Sequence, residues 1–463
     1  MTKLKAKHLH DLVFVSDPQL APDGARAVAV HTVILPGDPG APPRYRGNLY
    51  LYELATGAAR QLSTSSHGDR SPRFSPDGTK LAFLGRKREE DKPQLYLLEF
   101  AGGEARQLSR ERAGVESFVW HPSGERILYV SRGDWERPSA KDTLQRVIER
   151  SWYLSDAGGF RPEVPAQIYL LDLGREDAER LTDLRHDPSG LEVSPDGRTL
   201  YFAASPDEAA ESAWRSQLYA FKLRSGKLRA LLETPLNLSG PSLSPDGKWL
   251  AFFAPQDPQD FASPTSLYRV ASRGGEPERL TSEVEAAPSI GGDSRYGDLP
   301  NRARWTPGGA LVLNTNAEAK SLLSRLEPKG GELTGLVGGL RAITSFDARE
   351  GTLLYTAETP ERPGELFVWQ DGTERQLSDL NGSFVKRHGL RPASALQSFT
   401  TDDGAPLGYW TLEPAKPRKD GALVVQIHGG PHTNYGYGFY LEFHLLAAHG
   451  YTVVYGNPRG GSS

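Results

Sequence analysis

Apolar residues in this chain come in short runs, and each run follows the same polar turn. Ala27-Val28-Ala29-Val30 follows Ala21-Pro22-Asp23-Gly24, Leu81-Ala82-Phe83-Leu84 follows Ser75-Pro76-Asp77-Gly78, and Ile127-Leu128-Tyr129-Val130 follows His121-Pro122-Ser123-Gly124. Four more copies come later: Ser194-Pro195-Asp196-Gly197 before Leu200-Tyr201-Phe202-Ala203, Ser244-Pro245-Asp246-Gly247 before Leu250-Ala251-Phe252-Phe253, Thr306-Pro307-Gly308-Gly309 before Leu311-Val312-Leu313, and the degenerate 347–351 before Leu353-Leu354-Tyr355. Proline presets φ, aspartate bonds the backbone ahead of it and glycine accepts positive φ, so each turn predicts a tight β-hairpin. A second hairpin follows each first one, running from an apolar-aromatic strand such as Gln94-Leu95-Tyr96-Leu97-Leu98 to an amphipathic strand ending in leucine, here Gln107-Leu108.

Two hairpins per unit give four antiparallel strands, and units of about fifty residues with four strands each are what β-propeller blades require. The expected fold class is therefore mainly β, a seven-bladed β-propeller over residues 1–390. The inner strands are almost wholly apolar because each blade buries both faces, while the outer strands alternate. A β-solenoid or tandem sandwiches fit the regular turn spacing less well, and WD dipeptides are absent. One interval is too long: residues 133–165 carry Trp135, Arg137, Lys141, Arg146, Arg150, Trp152, Tyr153, Phe160 and Arg161, with a short helix expected over 141–151. Insertions of this kind emerge as loops on one face, which is either a solvated surface or a binding face. A second irregular span, about 284–304, contains Gly291-Gly292-Asp293.

The pattern changes after Leu377. From Arg391 the chain predicts a hairpin (Gln397-Ser398-Phe399-Thr400-Thr401, then Leu407 to Leu412), a β-branched strand Val424-Val425-Gln426-Ile427, a helix over 438–450 stopped by Gly450, and a strand Tyr451-Thr452-Val453-Val454-Tyr455. A hairpin followed by strand, helix and strand is the first half of an α/β-hydrolase sheet. Residues 391–463 are thus expected to be the N-terminal part of a hydrolase domain, truncated, because half a sheet leaves an open edge and an uncovered face.

Composition narrows the picture further. The chain has 463 residues, 54 basic and 58 acidic side chains and a net charge of -4, which gives no general attraction to nucleic acid or anionic membrane. It has no cysteine, which excludes disulfides, thiolate nucleophiles and cysteine-held zinc and fits a reducing compartment. The N-terminus lacks an apolar run after its lysines, so no signal peptide is expected, and no stretch approaches the ~18 apolar residues of a membrane span. A cytoplasmic setting without cofactor or metal follows as the expectation.

Acyl transfer needs a nucleophile, a base, an orienting group and N–H donors aimed at the developing oxyanion. Only the donors are visible here. The strand at 424–427 stops at His428-Gly429-Gly430-Pro431-His432, where two glycines let the backbone approach a carbonyl without a Cβ in the way. A plain strand-to-helix turn is the competing reading. Gly460-Gly461-Ser462-Ser463 does not fit the Gly-x-Ser-x-Gly elbow. His428 and His432 have the spacing of helical metal ligands, yet Gly-Gly-Pro between them forbids a helix; His428 is expected to pack under the turn and His432 to lie near the cleft.

The seven Pro-Asp-Gly-type repeats, the His-Gly-Gly-Pro-His turn, the stretch Asn457-Pro458-Arg459-Gly460 and the early Val15-Ser16-Asp17-Pro18 together resemble the prolyl oligopeptidase family of serine peptidases, particularly its acylaminoacyl-peptidase-like branch. The resemblance spans the whole chain, and the last thirty-odd residues are its specific part. It implies that Gly430, beside Gly429, donates an oxyanion-hole N–H, that Asn457-Pro458-Arg459-Gly460 lies beside the active cleft, and that the Ser-Asp-His triad lies beyond this turn, so that this chain alone is inactive. It also implies short peptides as substrates, a propeller that gates them by size, and the remaining half of the hydrolase domain as partner. Arg150 of the insert is a candidate anchor for a peptide terminus or carboxylate. The alternative from another class is a non-enzymatic propeller, similar to TolB-type interaction modules. Peptide preference and homo-oligomerisation stay open.

Overall fold

A computed structural model describes residues 2–37, 42–88, 91–136, 148, 153–155, 159–175, 178–257, 263–281, 285–286, 290–297, 302–317, 319–349, 351–429 and 433–459. The chain is mainly β, and seven antiparallel sheets follow one another along it, over residues 13–61, 69–107, 115–180, 189–230, 239–279, 285–337 and 342–376. Six have four strands. The sixth has five, because Glu285–Ala286 and Arg304–Trp305 both pair with Leu311–Ala317.

The repeated turn forms as its chemistry dictates. Gly24, Gly78, Gly124, Gly197 and Gly247 take φ between 68° and 70°. In the serine-containing copies the hydroxyl of the first residue closes the turn: Ser75, Ser194 and Ser244 accept the N–H of Lys80, Thr199 and Trp249 at 2.9 Å. The same hydroxyls donate to Asp77, Asp196 and Asp246. That bond, with the N–H and hydroxyl of Thr79, holds the Asp77 carboxyl down at about 2. A second device recurs at the far end of the units. The hydroxyl after each Gln-Leu or Arg-Leu accepts an N–H of the third strand, Ser63 for Leu49, Ser109 for Leu95, Thr182 for Ile168 and Thr281 for Leu267. Between second and third strands, aromatic pairs stack at equivalent register positions, among them Phe83–Tyr96, Tyr129–Tyr169 and Tyr355–Phe367, at 5.2–5.6 Å between ring centroids. Such pairs add to the burial of the rings themselves.

The chain divides into two compact units, Ser71–Ser282 on one hand and Met1–Arg70 with Glu283–Ser463 on the other. In the first, successive sheets share apolar cores, one built around Leu97, Ile127 and Tyr129 and the next around Leu128, Ile168 and Phe202. In the second, the sixth and seventh sheets share Val312, Leu323, Phe346 and Tyr355. The seventh and first sheets share Ala27, Ala29, Tyr52, Leu354, Leu366 and Val368. Among the described residues no strand passes between the first and seventh sheets; they join through these side chains and through bonds such as Leu20 N–H to Asp347 (2.8 Å), while Val13 N–H donates to Asn381, just beyond the seventh sheet (3.0 Å).

The residues after 390 form one four-stranded mixed sheet. We label its strands β1 (Gln397–Thr400), β2 (Pro406–Leu412), β3 (Leu423–Gln426) and β4 (Thr452–Gly456), and its helix α1 (Leu441–Ala448). Their order is β1-β2-β4-β3, with β3 parallel to β4 and the other pairs antiparallel, so β3 lies at an edge and α1 makes the crossover. The helix starts at Leu441, three residues later than its pattern suggested. The helix expected over 141–151 lies outside the described residues, apart from the exposed Ile148. Around it, Leu154–Ser155 pairs with Gly159–Phe160 in a small hairpin that presents Tyr153 and Phe160 to solvent.

Candidate active site

The strand that carries the expected oxyanion turn has one covered and one bare flank. Val453 and Tyr455 of β4 are buried with Trp410, Tyr435, Tyr437 and Phe443 beneath the helix side of the sheet. On the other side Leu423, Val425 and Ile427 are 55%, 58% and 77% exposed. Val425 and Ile427 line, with Phe399, Leu407, Val454 and Pro458, an open apolar hollow of about 550 Å³.

Gly429 is exposed, and a Cβ built on it meets nothing within 4 Å, so the backbone there faces open space. His428 is half-buried. Its ring stands edge-on to Tyr435 with centroids 5.1 Å apart, and its Nδ1 lies 3.2 Å from the Gly429 carbonyl. That is the packing role expected for it. Gly430, Pro431 and His432, like Gly460-Gly461-Ser462-Ser463 and Arg150, lie outside the described residues. Asn457 joins the two turns that the sequence singled out separately: its Oδ1 accepts the Tyr435 N–H (2.7 Å) and its Nδ2 donates to the Tyr435 carbonyl (3.0 Å). The side chain thus replaces a backbone partner for a residue that β-pairing leaves unserved. Arg459 reaches instead to Asp403 at 2.5 Å on the exposed rim.

The stretch after the turn is held by residues that sequence reasoning did not find. Ile290 bridges Asn434, and the Gly291 N–H donates to the Asn434 carbonyl (2.8 Å). Tyr437 N–H donates to the Ala319 carbonyl (3.3 Å) and Phe439 N–H to Glu358 Oε1 (2.8 Å). Asp293 accepts the N–H groups of Leu441 (2.7 Å) and Glu442 (2.9 Å), capping α1 from a distant segment where its own N-cap, Tyr440, has no side-chain bond to offer. Glu358 is buried, and Arg295 pairs with it through two nitrogens at 2.6 and 3.1 Å while also donating to the Ile290 carbonyl. Burial opposes the Arg295 charge, but the Glu358 carboxylate outweighs it and raises the guanidinium above its ordinary range. His444 of α1 donates from Nε2 to the Pro360 carbonyl (2.7 Å), and its burial lowers its pKa, keeping it neutral. A signal was present in the sequence: glycines alternate with aromatics in Tyr435-Gly436-Tyr437-Gly438. A Cβ at Gly436 would collide with the Ala319 carbonyl, and one at Gly438 with the Gly291 carbonyl.

In the other unit, the described part of the insert contributes Arg161 to a charge network. Arg132 pairs bidentately with Asp187 (2.8 and 2.7 Å) and with Glu116 (3.1 Å), while Arg161 reaches Asp187 (3.1 Å) and Glu211 (3.4 Å). Burial works against the Asp187 charge, but the Arg132 fork holds its carboxyl below the usual range. Arg161 is therefore committed to acidic partners. For metal binding, His8, Asp11 and His388 offer ligand atoms within 4.8 Å of one another, but Asp11 is exposed and paired with Arg387, and His8 Nδ1 already accepts the Lys5 N–H. No helix among the described residues is long and apolar enough to cross a membrane.

This architecture, repeated antiparallel sheets followed by a four-stranded mixed sheet, has known counterparts. No protein-family model matches the chain. The uncharacterized peptidase YuxL of Bacillus subtilis is 31% identical over 476 residues, covering 99% of this chain and 71% of the relative. Acylaminoacyl peptidase of Pyrococcus horikoshii superposes with a TM-score of 0.76 at 22% identity, over 99% of this chain and 67% of that one. The β-propeller domain of the Trilobed protease from Pyrococcus furiosus matches 80% of the chain and 99% of its own length, with a TM-score of 0.54 at 18% identity. The chain belongs to the prolyl oligopeptidase family of serine peptidases, among its acylaminoacyl-peptidase-like members.

Proposed function

We propose that this chain is the propeller and oxyanion-hole portion of a serine peptidase that hydrolyses short peptides. The observation that carries the reading is the placement of the His428-Gly429 turn: it ends an edge strand, β3, of a sheet ordered β1-β2-β4-β3, and its exit is clamped by Asn457. On this reading the backbone N–H groups at Gly429 and Gly430 face the developing oxyanion. The free edge and bare face of β3 receive the rest of the hydrolase domain, which supplies the serine, the acid and the histidine. The seven sheets are the blades of one propeller, supported by the core shared between the first and seventh, and the propeller admits only short or unfolded peptides. Arg150 anchors a peptide terminus, and the protein works in the cytoplasm, in keeping with the absence of cysteine. The likeness to a peptidase extends over the hydrolase strands as well as the repeats, which favours this reading over an interaction module.

The test uses the polypeptide that contains this chain. A fluorophosphonate should label one serine outside residues 1–463, short peptide anilides should be cleaved while folded proteins are spared, and Arg150→Ala should raise KM. A polypeptide that takes no label and cleaves no peptide would overturn the proposal.

A further inference from the structure

The segment 290–297 was an unexplained irregularity in the repeat. In the structure it touches three parts of its unit. Tyr296 stacks on Tyr45 of the first sheet, with ring centroids 3.9 Å apart. Arg295 pairs with Glu358 at the end of the second strand of the seventh sheet. Gly291 and Asp293 bond the backbone of 434–442. That stretch begins immediately after the oxyanion turn. Of its residues, Asn434, Tyr437, Phe439, Leu441 and Glu442 are bonded through their backbone to groups outside the hydrolase-type sheet, and Tyr435 is bonded by Asn457.

The chain before the turn is therefore held by the pairing of β3, and the chain after it by the 290–297 segment and by groups of the sixth and seventh sheets. Glu358 is the junction of this arrangement. A single buried oxygen, Oε1, accepts from the Phe439 backbone and from Arg295, so its charge is held in place by the same pair that orients the backbone. A buried carboxylate in such a position fixes geometry, because any displacement leaves an unpaired charge. An oxyanion hole is sensitive to this kind of control, since its donors act only within hydrogen-bonding distance of the transition-state oxygen and a shift of about 1 Å costs on the order of a hundredfold in rate.

We propose that Arg295, Glu358 and Asp293 are positioning residues for the reaction, setting the oxyanion turn through the 434–442 stretch. They touch neither substrate nor reacting atoms; they couple the repeat region to the place where negative charge develops. The inference rests on the peptidase reading above.

The experiment measures kcat and KM for a short peptide anilide in the polypeptide containing this chain, with kcat expressed per fluorophosphonate-labelled site. Glu358→Gln keeps the shape and removes the charge, and should lower kcat about tenfold or more with KM within about twofold of wild type. Asp293→Asn, a milder change at the end of α1, should lower kcat about threefold with the same unmoved KM. It supplies the measurement if Glu358→Gln does not fold. A merely structural role would lower Tm and the number of labelled sites but leave kcat per labelled site within about twofold of wild type in every variant that folds, and that result overturns the proposal. A wild-type polypeptide that takes no label overturns the peptidase reading itself, and this one with it.

Discussion

The two flanks of the four-stranded mixed sheet are built on opposite terms. On the helix side, the chain following β3 is bonded at Asn434, Tyr437, Phe439, Leu441 and Glu442 to Gly291, Ala319, Glu358 and Asp293, over buried Trp410, Phe443 and Tyr455. On the opposite side, Val425 and Ile427 of the same strand region are left bare. On the function proposed above, the turn at His428-Gly429 is approached from the helix side by these bonds, while the bare side of β3 receives the rest of the hydrolase domain.

The contrast can be broken most severely where the backbones come closest. Gly436→Ala or Gly438→Ala places a methyl group against the Ala319 or Gly291 carbonyl, and should destabilise the unit by about 2–3 kcal/mol, read as a lower urea midpoint. Asn457→Ala removes both bonds to the Tyr435 backbone, leaving a donor and an acceptor unserved. It should cost about 1–3 kcal/mol and lower kcat of the peptidase.

The pH dependence sharpens the picture of the covered flank. His444 is neutral when folded and its pKa is depressed by burial, so the unfolded chain binds the proton more readily. Its contribution is fully present above the ordinary value of 6.5 and is lost as pH falls from there toward the depressed folded value. His444→Gln, which retains a donor toward Pro360, should flatten that acid limb in denaturation curves measured across the range. The smallest effect is expected on the bare flank. Ile427→Thr should change the stability of this chain by less than about 0.5 kcal/mol, because Ile427 is 77% exposed.

Most of the repeat region was legible because its determinants are local. The Ser-Pro-Asp-Gly turn carries its own acceptors within five residues, as Ser75, Asp77 and Lys80 show. The hairpin, strand, helix and strand after residue 390 were legible for the same reason, and β3 and β4 pair in parallel across α1 as that order requires. The 290–297 segment was not legible. Asp293 meets Leu441 across 148 residues and Arg295 meets Glu358 across 63, and no periodicity marks either pair. The same long-range contacts explain the late start of α1: residues 438–440 were expected to be helical, but Phe439 N–H is taken by Glu358, and the first helical donors are taken by Asp293. The tethering glycines were visible as an alternation with tyrosines, yet alternation alone does not name the carbonyls they approach.

The most direct test of the central claim is a structure of the polypeptide containing this chain after reaction with a fluorophosphonate. The phosphonyl oxygen should lie about 2.7–3.1 Å from a backbone nitrogen at Gly429 or Gly430. A phosphonyl oxygen bonded only to donors elsewhere, with the His428-Gly429-Gly430 turn facing away from the adduct, would contradict it.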